Sequence, residues 1–330
     1  MYDCRISFNL TFFHQALSIQ NVIAMKTVVI ESLCGSTKAS IYPDKGFNLY
    51  SLSVRNDELL WADPEFLNGT SSCSGSGTPI LFPFPGRLNG RSYEYADNKY
   101  QLASDDGLGN AIHGFVLDRP WRLIELASDR VTGEFHASID DPQILEQWPA
   151  DFKIRCTYSA VENGVNACYE IDNPGKTDLP CGLGTHAYFR VPVGIGDANS
   201  AVISCPVSEQ WELQNMLCTG EVRTLQEPER PSEGMKFGNL KMDHVFGGIT
   251  FVDERATASI TNPTTGRSLL FRWDATCNFC VIYTPPHREA ICMEPYTLVP
   301  GGLAFDTGHH GLIVLKPAES FRHEMEILYV

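Results

Sequence analysis

An all-β fold, built as a large antiparallel β-sandwich, is what this sequence predicts, and three observations carry that expectation. From Thr27 onward the apolar and alternating runs are short, they are punctuated by Gly, Pro, Asn and Asp, and helical periodicity is almost absent. The chain has 330 residues, enough to bury a sizeable core. Many short strands lying far apart in sequence bury their apolar faces together most readily in a sandwich or a barrel.

The strand signals run from end to end. Residues 27–30 open the series with Thr-Val-Val-Ile. Residues 92–95 and 100–102 face each other across Asp97-Asn98, a hairpin signal. Further runs occupy 152–158, 167–171, 201–203, 269–273, 279–284 and 312–315. At Asp141-Pro142 an aspartate able to cap precedes a proline suited to the first helical position, so 141–145 reads as one helical turn. No linker, low-complexity segment or repeat interrupts the pattern, and 25–330 is expected to form a single β-sandwich domain. Residues 1–24 contain Asn9, His14, Gln15, Gln20 and Asn21, which break any apolar core a signal peptide would need. They read as an upstream extension or a loosely held tail.

Composition narrows the partners. The formal charge of −15 sets a field that repels nucleic-acid phosphates and anionic lipid, and no Lys/Arg-rich run offers a local exception. No segment is long and apolar enough to span a bilayer as a helix. Neither nucleic acid nor membrane is therefore expected as a partner, whereas small neutral molecules are indifferent to that field. Eleven cysteines without regular spacing fit free thiols in a reducing compartment, and a cytoplasmic location follows as the expectation. Cys277 and Cys280 have C-x-x-C spacing, yet they border the apolar run Phe279-Cys280-Val281-Ile282-Tyr283, and no second pair or nearby His-x-His completes a zinc site. They read as core residues of a buried strand.

Three patches combine a group able to move or hold a proton with turn residues able to fix it. The first is Phe82-Pro83-Phe84-Pro85-Gly86-Arg87, a stiff turn carrying an arginine suited to oriented polar recognition, followed by Ile112-His113-Gly114-Phe115. Arg87 reads equally as a solvated surface residue, and His113 as a hydrogen-bonded loop histidine. The second is Gly184-Thr185-His186-Ala187-Tyr188-Phe189-Arg190, where a period of two puts His186, Tyr188 and Arg190 on one face. Such a face suits a site lining or a half-exposed sheet. The third is Ile291-Cys292-Met293-Glu294-Pro295-Tyr296, whose only charge is Glu294. If the run is buried, that carboxylate is either paired for structure or held as a general base.

Taken in order, FPGRLNGRSYEY, IHGF, GTHAYF and the EP dipeptide before a glycine-rich loop resemble the aldose 1-epimerase (galactose mutarotase) family, and the likeness extends over roughly 28–330. The resemblance implies a galactose mutarotase-like supersandwich with a sugar cleft and no cofactor or required metal. It implies Glu294 as catalytic base, His186 as catalytic acid, His113 as a second histidine near the ring oxygen, and Arg87 and Asp243 as ligands of sugar hydroxyls. The implied activity interconverts the α and β anomers of a free aldose. A hexose-6-phosphate 1-epimerase is the neighbouring alternative, for which Arg119 and Arg190 are available. A sugar-binding protein of the same fold without activity is the other, although it would have no physical need for an acid/base pair. A glycosidase would require two carboxylates flanking the bond, and only Glu294 stands out.

Overall fold

Strands Lys153–Val161 and Gly164–Asp172 alternate between buried and more exposed residues along nearly their whole length, as expected of strands with one face against a core. They lie near the middle of a nine-stranded antiparallel sheet whose order is Arg122–Leu126, Arg130–His136, Lys153–Val161, Gly164–Asp172, Ser320–Tyr329, Ser268–Asp274, Arg255–Thr261, Val202–Ser204 and Met235–Lys236. The computed structural model describes residues 27–67, 70–227, 229–305 and 310–330. The extension expected at 1–24 lies outside the described residues.

A second large antiparallel sheet runs in the order Leu217–Thr224, Glu209–Gln214, Asp243–Gly247, Phe279–Tyr283, Ala290–Tyr296, Gly184–Thr185 and Ile80–Leu81, with Ala187–Arg190 also paired to Ala290–Tyr296. One face of this sheet, including Ile80, Ala187, Phe189, Phe246, Ile282, Ile291 and Met293, joins Tyr158, Tyr169, Phe271, Trp273 and Ile327 of the nine-stranded sheet in one hydrophobic core. The expected β-sandwich is thus the fold. Alternation then sends Val245, Phe279, Val281 and Tyr296 to the opposite face, where they form a separate smaller cluster. That outward face is where the candidate site lies. A four-stranded sheet of Val28–Glu31, Thr37–Tyr42, Asn48–Val54 and Asp57–Glu58 adds its apolar face to the main core.

Two local expectations are adjusted. The hairpin forms from Ser92–Tyr95 and Asn98–Gln101, and its turn residues are Ala96 and Asp97, one position earlier than Asp97-Asn98. Both have positive φ, 47° and 63°, which matches the twist of a two-residue hairpin loop. The helical turn appears as a 3-10 helix, Pro142–Glu146, but Asp141 makes no side-chain cap. Its carboxylate accepts from Arg119 Nε at 3.0 Å instead, a charge-assisted bond that outcompetes a neutral one.

The ten cysteines among the described residues are free. Cys277 and Cys280 are both fully buried and go separate ways, Cys280 Sγ to within 3.8 Å of Cys205 Sγ and Cys277 Sγ to within 3.7 Å of His323 Nε2. No described helix is long and apolar enough to cross a membrane.

Candidate active site

Strand Ala290–Tyr296 is buried along its whole length, so its single charge cannot be left to solvent. Its odd residues Ile291 and Met293 enter the core. The period of two therefore turns Cys292, Glu294 and Tyr296 outward together, onto the cleft face. Glu294 is only 1% exposed there. The Tyr296 hydroxyl donates to its Oε2 at 2.6 Å, and His186 Nε2 stands 3.2 Å from its Oε1. Gly184 pairs with Tyr296 across the sheet, and a Cβ at Gly184 would come within 2.5 Å of the Tyr296 ring. Only glycine lets that ring lie flat enough for its hydroxyl to reach the carboxylate.

His186 sits between the short strands Gly184–Thr185 and Ala187–Arg190, with its backbone N–H donating to Pro79 O at 3.0 Å. Its ring stacks on Tyr188 at 4.9 Å with an interplanar angle of 11° and meets His113 edge-on at 5.5 Å. His113 holds a left-handed backbone, φ 62°, and donates its N–H to Gly86 O. Gly114 follows, also at positive φ, where a Cβ would lie 2.1 Å from Phe82 O. The FPFPGR and IHGF turns are thereby fitted to one another, and the pairing of Arg87 with Ile112 seals them.

Arg87 is anchored by Asp106, which accepts from its Nε at 2.8 Å. Asp106 also accepts from the backbone N–H groups of Leu108 and Asn110 and from Asn110 Nδ2. Burial alone would raise this carboxyl, but the bonds from Asn110, Leu108 and Arg87 together hold it well below the usual carboxylate range. Asp243 opens strand Asp243–Gly247 beside Tyr283 and is exposed at the cleft rim. Arg87, His113, His186, Asp243 and Glu294, all five residues singled out from the sequence, line one cavity of about 200 Å³. Leu213, Met216, Val245 and Val281 supply an apolar wall, and Tyr283, Tyr296 and Pro300 complete the lining.

Burial pushes the Glu294 carboxyl well above the usual range, against the Tyr296 hydrogen bond that pulls it down. Burial likewise lowers His186, and it lowers His113 with help from His186 and Arg87. The shifts of Glu294 and His186 both favour a neutral pair, with the proton on the Glu294 carboxyl and the His186 imidazole uncharged. Moving that proton across the 3.2 Å contact to the imidazole gives the ion-pair form.

Arg119 and Arg190 lie elsewhere. Arg119 is engaged by Asp118 and Asp141, and Arg190 Nε donates to Leu60 O. Asp106 and Tyr296 are additions to the site that motif reading had not picked out. For Tyr296 the signal was present, since its offset of two from Glu294 places both on one face. The side-chain ligand atoms of His186, Cys292 and Glu294 lie within 4.8 Å of one another, the one such grouping found among the described residues.

Comparison with known proteins agrees with this architecture. The family model for aldose 1-epimerase matches residues 35–328. The Escherichia coli K12 proteins YihR and YphB, both uncharacterized, are 22% identical over 69% of this chain and 71% of YihR, and 21% identical over 82% of this chain and 91% of YphB. A galactose mutarotase-like protein from Clostridium acetobutylicum superposes with a TM-score of 0.81 at 20% identity, covering 90% of this chain and 93% of that one. A GalM/aldose epimerase homologue from C. elegans superposes with a TM-score of 0.76 at 17% identity, covering 92% and 99%.

Proposed function

The chain belongs to the aldose 1-epimerase family, and we propose on that footing that its cleft interconverts the α and β anomers of a free aldose by passing one proton each way between the sugar, Glu294 and His186. The observation that carries this reading is the 3.2 Å approach of His186 Nε2 to Glu294 Oε1 on the floor of the cavity. The two sugar oxygens that must exchange protons, the anomeric hydroxyl and the ring oxygen, are bonded to the same carbon. An acid and a base that stand side by side can each reach one of them.

In the ion-pair form, carboxylate Oε1 of Glu294 takes the proton of the anomeric hydroxyl while the His186 imidazolium gives its proton to the ring oxygen. The bond from the anomeric carbon to the ring oxygen breaks, and the open-chain aldehyde faces a neutral pair, protonated Glu294 and neutral His186. After rotation about the adjacent carbon-carbon bond, Glu294 returns its proton to the carbonyl oxygen. His186 takes the proton of the attacking hydroxyl, and the ring closes on the other face. Burial favours the neutral pair, and the attraction of opposite charges across the 3.2 Å contact offsets part of that cost when the proton passes to the imidazole. A positioned acid or base typically contributes about 10² to 10⁴ in rate.

In this reading His113 contacts the sugar near the ring oxygen, Arg87 binds a sugar hydroxyl, and Asp243 holds another at the rim. The charge of the cavity supports a neutral substrate over a sugar phosphate. Its lining has one guanidinium, Arg87, already bonded to Asp106, beside the carboxylates Asp243 and Glu294. The test is polarimetry of freshly dissolved α-D-galactose and α-D-glucose, with glucose 6-phosphate followed in parallel by exchange NMR. Acceleration of the free sugars supports the assignment, and acceleration of the phosphate alone transfers it to the phosphate-specific branch.

A further inference from the structure

Two residues of the cavity lining, His186 and Glu294, meet the buried Cys292 behind them, bringing together an imidazole nitrogen, a carboxylate oxygen and a thiol sulfur, all within 4.8 Å. The 3.2 Å between His186 Nε2 and Glu294 Oε1 is already close to the edge of a tetrahedron whose bonds are about 2.0–2.1 Å, roughly 3.3–3.4 Å. Cys292 is two residues before Glu294 on the same strand, and strand pairing sets it opposite Tyr188, whose ring stacks on His186. The sulfur lies within 4.8 Å of both other donor atoms, so closing it onto the same centre takes an adjustment of about an ångström. One supporting contact is in place: Tyr296 holds the distal oxygen of Glu294. His186 is 92% buried by its 8% exposure, and its Nδ1 has no hydrogen-bond partner, so nothing fixes the tautomer against an unprotonated Nε2.

We infer that His186, Cys292 and Glu294 form a binding site for one soft divalent cation of the zinc class, and that occupancy switches the cavity off. Thiolate and imidazole donors select Zn²⁺ or Cd²⁺ over Mg²⁺ or Ca²⁺. Charge reinforces the choice. A divalent cation with one thiolate and one carboxylate makes a neutral complex, which buried surroundings accommodate without a net charge. Binding releases two protons to solvent, that of the Cys292 thiol and the one held by the His186–Glu294 pair, and forms no bond other than the three coordinate ones. The negative charge of Asp243 at the rim offsets Arg87 along the entry path. The switching rests on the proposed reaction, because it follows from the cation occupying both members of the acid/base pair. The binding itself does not.

Cadmium reports its own site through the thiolate-to-metal charge-transfer band in the ultraviolet. Metal-free wild-type protein titrated with CdCl₂ is expected to develop this band at one equivalent per chain. Cys292→Ser should lose it and bind cadmium at least about tenfold more weakly, and the mutarotation it retains should resist cadmium by the same factor. Cys277→Ser, which alters the buried thiol near His323, should bind as wild type does. His186→Asn provides a second removal of a ligand should the serine variant fold poorly by near-UV circular dichroism. Absence of the band in wild type, or a band unchanged in Cys292→Ser and His186→Asn, overturns the site. A band that depends on Cys292 in a protein inactive on every sugar when metal-free upholds the site and overturns the proposed reaction.

Discussion

Tyr296 donates its hydroxyl to Oε2 of Glu294 at 2.6 Å, so only Oε1 remains to face His186 and an incoming sugar. Two residues apart on one strand, the pair fixes which edge of the carboxylate is left for the proposed chemistry. A hydrogen bond to a charged group is worth about 1.5–3 kcal/mol, and removing it leaves Oε2 buried without a partner. Tyr296→Phe is therefore expected to lower kcat about 10- to 100-fold with little change in KM, measured by polarimetry over a range of sugar concentrations.

The rotation of Tyr296 toward the carboxylate depends on the missing side chain at Gly184. Gly184→Ala brings a methyl within 2.5 Å of the tyrosine ring and 2.6 Å of Pro85 Cβ, so the ring must shift and its hydroxyl leaves Oε2. This variant should lose activity as Tyr296→Phe does. Combining the two should cost little more than Gly184→Ala alone, because both act through one contact. Additive losses in the double variant would show that the methyl acts by another route.

In the proposed reaction the acid/base pair works while it holds one proton. Adding a second proton must charge His186, which burial resists, so the acidic limb of the rate profile lies below the usual histidine value of about 6.5. Removing the last proton must leave Glu294 charged without a charged partner, which burial also resists, so the alkaline limb lies well above the usual carboxylate value of about 4.3. The rate should cross the ordinary histidine range without an inflection. Tyr296→Phe removes a bond that favours the carboxylate and should move the alkaline limb to higher pH. Initial rates in overlapping buffers test both signs.

Asp106 acts on the cleft through Arg87. Asp106→Ala frees the guanidinium and strands the N–H groups of Leu108 and Asn110, at an expected cost of about 2–3 kcal/mol in urea unfolding. Because Arg87 loses its orientation while the acid/base pair is untouched, KM should rise more than kcat falls.

How much of this was legible in the sequence depended on how local each signal was. Alternation in 186–190 identified the face shared by His186 and Tyr188, and the isolation of Glu294 in an apolar run identified a carboxylate that burial would force into a partnership. The pairing of Gly164–Asp172 with Ser320–Tyr329 joins strands some 150 residues apart, and no local pattern encodes that neighbour. The Arg87–Asp106 contact links two loops whose approach depends on the fit of Gly114 against Phe82. Cys292 was read only as part of an apolar strand, since its proximity to His186 arises from sheet pairing rather than from spacing in sequence.

The most direct measurement is mutarotation of α-D-galactose and α-D-glucose by wild type, Glu294→Gln and His186→Asn against the enzyme-free rate, with circular dichroism showing each protein folded. Wild-type acceleration that falls about 10²-fold or more in both variants is the expected result. Acceleration that survives in either variant, or a folded wild-type protein that accelerates no sugar, would contradict the role assigned to the pair.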